Sequence, residues 1–224
     1  MIPIRDANPS RTRPVVVLGL IAVNAIVFLW EILLPAQGLQ ELFQGYGVVP
    51  VHLTHPSGGG WAWPTLLTYM FLHGGWLHVI GNLWVLWIFG DNIEDRMGHV
   101  RFLVFYLVTG VLAALTQSWL TPRSSVPSVG ASGAIAGVMG AYIVLFPRAR
   151  ILTIVPVFFY PLFLELPAVA FLGLWFLLQL FSGTLALHAS GEVGGIAFWA
   201  HVGGFLAGIV LHRLFLTRPR WRRG

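Results

Sequence analysis

Six apolar stretches dominate this chain, at roughly 14–35, 75–90, 100–120, 131–146, 167–183 and 196–216. Stretches of that length and polarity match the hydrocarbon core of a bilayer, about 30 Å thick. Only 9% of the 224 residues are charged, against 57% hydrophobic, too few charges to coat a soluble domain of this size. The expected fold class is therefore an all-α polytopic membrane protein, a six-transmembrane-helix bundle. We expect a single membrane domain over 1–224: a cytoplasmic segment 1–13, a six-helix core 14–217 and a basic cytoplasmic tail 218–224.

The arginines set the orientation. Every cation is an arginine, and if there are six spans all but Arg123 fall on one side. The positive-inside rule then makes both termini cytoplasmic, and the expected location is the plasma (inner) membrane. Net charge concentrated at the chain ends points to membrane orientation and not to nucleic acid. The run Val15 to Leu34 is too long for a signal-peptide core, so it reads as an uncleaved first span. Cysteine is absent, which excludes disulfides and thiol chemistry.

Two segments fit the scheme less simply. Residues 36–74 carry Gly58, Gly59, Gly60, Trp61 and Trp63 and no arginine; they read as an outer loop, either half-embedded or a plain connector. Residues 150–166 are apolar but interrupted by Pro156 and Pro161. We expect a cytoplasmic loop lying partly in the interface, with a seventh span as the competing reading.

Gly130-Ala131-Ser132-Gly133 runs from a polar loop directly into the fourth apolar stretch. Ser132 stands where that helix begins, beside backbone N–H groups that have no partner inside the helix. A serine so placed can attack a carbonyl and shelter the oxyanion; it can equally be a simple cap followed by small packing residues.

Polar residues within spans are costly and turn inward. The candidates are Asn24, Glu31, His78, Asn82, Ser132, Gln179 and His201, with His73 and His99 near span ends. Counting at about 1.5 Å per residue from the cytoplasmic anchors Arg148, Arg213 and Asp91 places Ser132, His201 and His78 roughly 24, 18 and 20 Å above that face. They share a layer, and Asn82 lies one turn below His78 on the same side. Gly133, Gly137 and Gly140 on the fourth stretch, with Gly204 and Gly208 on the sixth, would let those helices approach closely. His201 can then serve Ser132 as general base, while His78, Asn82 and the Ser132 N–H suit an oxyanion hole. No carboxylate lies at this depth, so the implied machine is a Ser–His dyad fed by a polar cavity opening outward. On a helix His73 and His78 would point about 140° apart, a poor pair for a metal, and H-E-x-x-H is absent. We expect no metal.

Four motifs in order resemble the rhomboid intramembrane serine proteases: His73 to Asn82, Gly90-x-x-x-Glu94-x-x-x-Gly98-x-x-x-Phe102, Gly130-Ala131-Ser132-Gly133, and Ala200-His201-Val202-Gly203-Gly204. The resemblance covers about 60–217. It implies a six-helix bundle with a half-embedded first outer loop, Ser132 as nucleophile, His201 as base, and His78 and Asn82 at the oxyanion. It also implies single-span transmembrane substrates and no cofactor. Two positions depart from the pattern: Ala136 replaces an aromatic residue that can stack on the catalytic imidazole, and Trp63 is followed by Pro64 where some members have arginine. Glu94, with Arg96 near it, reads as a structural charge pair at the cytoplasmic face.

The readings that compete with an intramembrane serine endopeptidase are a catalytically inactive rhomboid-like protein that binds and escorts transmembrane clients, and a small transporter. Both Ser132 and His201 are present, against the first. The spans show no internal repeat and no acid at the polar layer, against the second.

Overall fold

A computed structural model describes residues 1–55, 62–157, 160–188 and 196–217. In chain order the elements are β1 (Ile2–Asp6), α1 (Val15–Glu31), α2 (Ala36–Tyr46), α3 (Pro50–Thr54), α4 (Thr65–Thr68), a 3-10 turn (Tyr69–Phe71), α5 (Trp76–Met97), α6 (His99–Leu120), α7 (Ser132–Leu145), β2 (Arg150–Val157), β3 (Tyr160–Pro167), α8 (Ala168–His188) and α9 (Phe198–Phe215).

Six apolar helices coincide with the six expected stretches. Three of them, α6, α8 and α9, are long and apolar enough to cross a bilayer alone. A fourth candidate is a bent pair, Thr65–Phe71 followed by Trp76–Met97, turning through 96°. The helices α1 and α7 are shorter. The chain is a membrane protein built mainly of helices.

It is not all-α. Strands β1, β2 and β3 form an antiparallel sheet in that order, with Ile2 opposite Ile154 and Ile154 opposite Phe163. Residues 150–166, expected as an interfacial loop or a seventh span, are this hairpin. The reason is local: Pro156 and Pro161 cannot sit inside a helix, while Ile, Val and Thr at 151, 153, 154 and 155 suit a pleated surface. Ile151 and Thr153 alternate inward and are fully buried. The segment 1–13, expected as a cytoplasmic segment, contributes β1, the strand that completes the sheet.

Glu94 also differs from expectation. It is fully buried and, among the described residues, pairs with no arginine. Its two oxygens accept the backbone N–H groups of Val16 and Val17 at 3.0 and 2.9 Å, and His99 Nδ1 lies 2.5 Å away. Pro14 caps α1 without any side-chain hydrogen bond, so the carboxylate from α5 supplies the missing acceptor at that helix start.

The tightest packing is between α7 and α9. A Cβ on Gly204 would land on the Gly133 carbonyl, one on Gly208 on the Gly137 carbonyl, and one on Gly140 on the Phe205 carbonyl. The side faces of Gly133 and Gly137 point elsewhere, toward Ala113 and Thr109 of α6, so α7 is clasped on two sides. Gly203 meets Thr116 of α6 and takes no part in the α7 seam.

The 36–74 region folds as short helical pieces, with Trp63 exposed in a turn. Gly58, Gly59, Gly60 and Trp61, like Glu192 and the terminal arginines from Arg218, fall outside the described residues.

Candidate active site

The chain before α7 is pinned at two points. Val48 and Ser128 exchange backbone hydrogen bonds of 2.9 and 2.8 Å, and Gly130 N–H donates to Tyr69 O at 2.9 Å. Gly130 has φ +123°, a left-handed conformation that favours glycine. A Cβ there would sit 2.6 Å from His78 Nε2, so glycine also keeps this imidazole beside the start of α7. The first intrahelical bond at this end runs from Ile135 N–H to Ala131 O, leaving the N–H groups of Ser132, Gly133 and Ala134 ahead of it.

On α9, Gln117 of α6 accepts the Ala200 N–H at 3.1 Å and fixes the first turn. His201 follows, and the glycine seam brings it onto α7. Ser132 Oγ and His201 Nε2 are 2.8 Å apart. The other ring nitrogen, Nδ1, lies 2.8 Å from Gln179 Oε1 on α8. An amide oxygen is only an acceptor, so the proton sits on Nδ1 and the lone pair of Nε2 faces the serine hydroxyl. Trp175, one turn before Gln179, lies over the same imidazole with centroids 5.8 Å apart. Sequence reasoning placed Gln179 among the polar span residues without a role and passed over Trp175. With Ala136 in place of an aromatic residue on α7, α8 supplies both contacts to the ring.

His78 and Asn82 line the same cavity as Ser132 and His201. Gly74 N–H approaches His78 Nδ1 at 3.4 Å, which leaves Nε2 as the protonated nitrogen, turned toward Gly130. Asn82 Nδ2 is buried without a hydrogen-bond partner, an unused donor in the cavity that holds Ser132. Behind them, Glu31 of α1 accepts the His73 N–H at 3.1 Å. The rings of His73 and His78 come to 5.1 Å, closer than a helical spacing allows, because His73 precedes the bend and only His78 is on α5. Among the described residues no three His, Asp or Glu side chains gather as a metal site. Asn24 bonds back to Leu20 O within α1, and His212 lies against Ile209 O on α9. Both are remote from the serine in the chain's bonding.

The cavity holds about 740 Å³ and is walled by Leu77 and Val85 of α5, Met139 of α7, Phe171 and Trp175 of α8, and Met1 and Pro3 at the β1 end. It is less polar than expected, since its polar groups cluster around Ser132. Such a cleft suits an apolar chain presenting one polar bond to one polar spot.

Residues 60–218 match the Rhomboid domain family. The presenilin-associated rhomboid-like protein, mitochondrial, of Mus musculus is 31% identical over 201 residues, covering 86% of this chain and 46% of that protein. Rhomboid-like protein 11, chloroplastic, of Arabidopsis thaliana is 32% identical over 133 residues, or 59% of this chain and 43% of the other. RHOMBOID-like protein 1 of the same plant is 32% identical over 156 residues, 70% of this chain and 35% of its own length. The chain spans less than half the length of these relatives. A match over most of the sequence, through all four motifs, settles the relationship: the chain belongs to the rhomboid family.

Proposed function

We propose that the chain is an intramembrane serine endopeptidase that cleaves single-span transmembrane proteins, using Ser132 as nucleophile and His201 as base. The observation that carries this reading is the continuous chain Ser132 Oγ, His201 Nε2, His201 Nδ1, Gln179 Oε1, each contact 2.8 Å.

The chemistry follows from those contacts. Ser132 Oγ attacks the scissile carbonyl as its proton passes to Nε2. The imidazolium that forms keeps its Nδ1–H on Gln179. Negative charge on the carbonyl oxygen meets the N–H groups at the start of α7, Asn82 Nδ2 and His78 Nε2–H, donors already oriented before reaction. His201 returns the proton to the leaving amine, and a water activated by the same base releases the acyl group. Six spans, with the start of α1 and the end of α9 on the arginine-rich face, are part of this reading.

The test is labelling of Ser132 by a serine-directed fluorophosphonate, with cleavage of a reconstituted single-span substrate. Ser132→Ala and His201→Ala are each expected to abolish both while leaving the protein folded. Undiminished cleavage by purified Ser132→Ala protein would refute the assignment.

A further inference from the structure

The sheet stands beside the cavity and ends in an edge with nothing on it. Pro3 O accepts the Trp84 indole N–H at 2.6 Å, and Trp84 lies about 10 Å above Asp91 on α5. Lower down, Asp6 accepts the Tyr142 hydroxyl at 2.5 Å near the inner end of α7. Strand β1 therefore climbs the bundle, and its upper residues Met1 and Pro3 line the cavity that holds Ser132 and His201. The hairpin climbs with it, in register from Ile151 opposite Asp6 to Ile154 opposite Ile2, and continues three residues further to Val157. At its foot the Arg150–Glu165 ion pair, 3.0 Å, marks the polar boundary.

Strand β3 is the outer member of this sheet. Among the described residues, no backbone group on its side away from β2 makes a hydrogen bond. Above the Glu165 ion pair its side chains are apolar and exposed, Tyr160 at 81% and Phe163 at 57%. Open strand edges are not tolerated in hydrocarbon unless something covers them, because each unpaired N–H or C=O there is costly. A substrate has the complementary deficit. Its helix must unwind to present a carbonyl to Ser132, and the unwound residues lose their own backbone partners.

From these two deficits we infer that the free edge of β3 binds the inner half of the substrate's transmembrane segment as an added antiparallel or parallel strand. This rests on the protease reading above. The free register from Tyr160 to Leu164 spans about 13 Å at strand rise, close to half of a roughly 30 Å apolar core, the half that lies below the catalytic layer. Main-chain pairing of this kind gives affinity without demanding a particular side-chain sequence. It also selects for segments that leave the helical state easily, since only an unwound segment can pair.

The chain has no cysteine, so disulfide trapping has no background. In a Ser132→Ala protein, Leu162→Cys or Leu164→Cys is paired with single cysteines scanned through the inner half of a designed leucine-rich single-span substrate interrupted by Gly-Ala. Val104→Cys on α6, equally lipid-facing, serves as control. Cross-links above the control that peak at every second substrate position are expected. A helical period near 3.6, or no excess over Val104→Cys, overturns the inference. Fluorophosphonate labelling of the same cysteine variants with Ser132 intact reports that the site is folded. Labelling without β3 cross-links removes the docking edge alone. Cross-links of period two without labelling remove the protease reading and keep the edge.

Discussion

Replacing Gly208 by alanine is the most direct assault on the seam that brings Ser132 and His201 together. The added Cβ falls on the Gly137 carbonyl, whereas an ordinary contact lies at 3.4–4 Å. Neither partner is a flexible side chain, so the two backbones must part locally by about 1 Å or more. Overpacking of this sort costs about 1–3 kcal/mol, which for a chain of this size lowers the thermal midpoint by about 2–12 °C. Gly208 lies about 10 Å below His201 on α9, so part of the opening reaches the dyad. A Ser132–His201 separation starting at 2.8 Å leaves the hydrogen-bonding range with less than 1 Å of added distance. Misplacement of that size costs about a hundredfold in rate. We therefore expect Gly208→Ala to lose about 10- to 100-fold in kcat and to melt early in detergent micelles. Gly173→Ala on α8, where no atom lies within 4 Å of the new Cβ, is expected to match the parent in both measurements. A Gly208→Ala protein with parental melting and parental cleavage would refute the argument that backbone contact at this seam holds the dyad.

Gln179→Leu removes the acceptor for His201 Nδ1–H and should lower kcat about tenfold, the worth of one neutral hydrogen bond, with KM unchanged; Gln179→Glu, which keeps an acceptor, should retain more activity. Asn82→Ala deletes an unpartnered donor near the oxyanion and should cost about 10²–10³ in kcat, read as slower fluorophosphonate labelling at unaltered melting temperature. Burial pushes the Asp6 carboxyl up from 3.8 to about 6, against the opposing bond from Tyr142 and assisted by the nearby Asp91. The folded state thus holds this proton more tightly than the unfolded state, so the contribution is full below about pH 4 and is lost as pH rises through about 6. Melting scans from pH 4 to 7 should show a decline that Asp6→Asn flattens; an unchanged slope would mean that Asp6 does not control the docking of β1.

The Ser132–His201 contact was legible because depth in a membrane can be counted along helices. Ser132, His201 and His78 share a level whatever the loops do, and small residues four apart mark where two helices can touch. Glu94 was misread because its neighbours in sequence, Arg96 among them, are charged, while its partners in space are two backbone N–H groups of α1 that no pattern names. The His73–His78 approach was missed for a related reason: a helical angle was assumed across a bend. The hairpin was hidden by composition, since an apolar stretch broken by prolines reads alike as loop, interfacial segment or failed helix. The pairing of Arg150–Val157 with Tyr160–Pro167, and of Ile2 with Ile154 from the far end of the chain, decides for strands.

Two different parts of the fold hold the two sides of His201. Everything that aligns Ser132 with His201 from below lies in the rigid α7–α9 seam, but what fixes the imidazole's tautomer comes from α8. That helix follows directly on β3, with Ala168 N–H bonded to Ala149 O where the hairpin ends. Movement of α8 away from the bundle would carry Gln179 and Trp175 off the ring while leaving the 2.8 Å Ser132–His201 contact to the seam. The base would then be free to rotate or change tautomer. A strand added to the edge of β3 would act on the element to which α8 is joined. On the proposed reading, binding below the catalytic layer and alignment of His201 within it would be coupled through one short covalent connection at Pro167–Ala168.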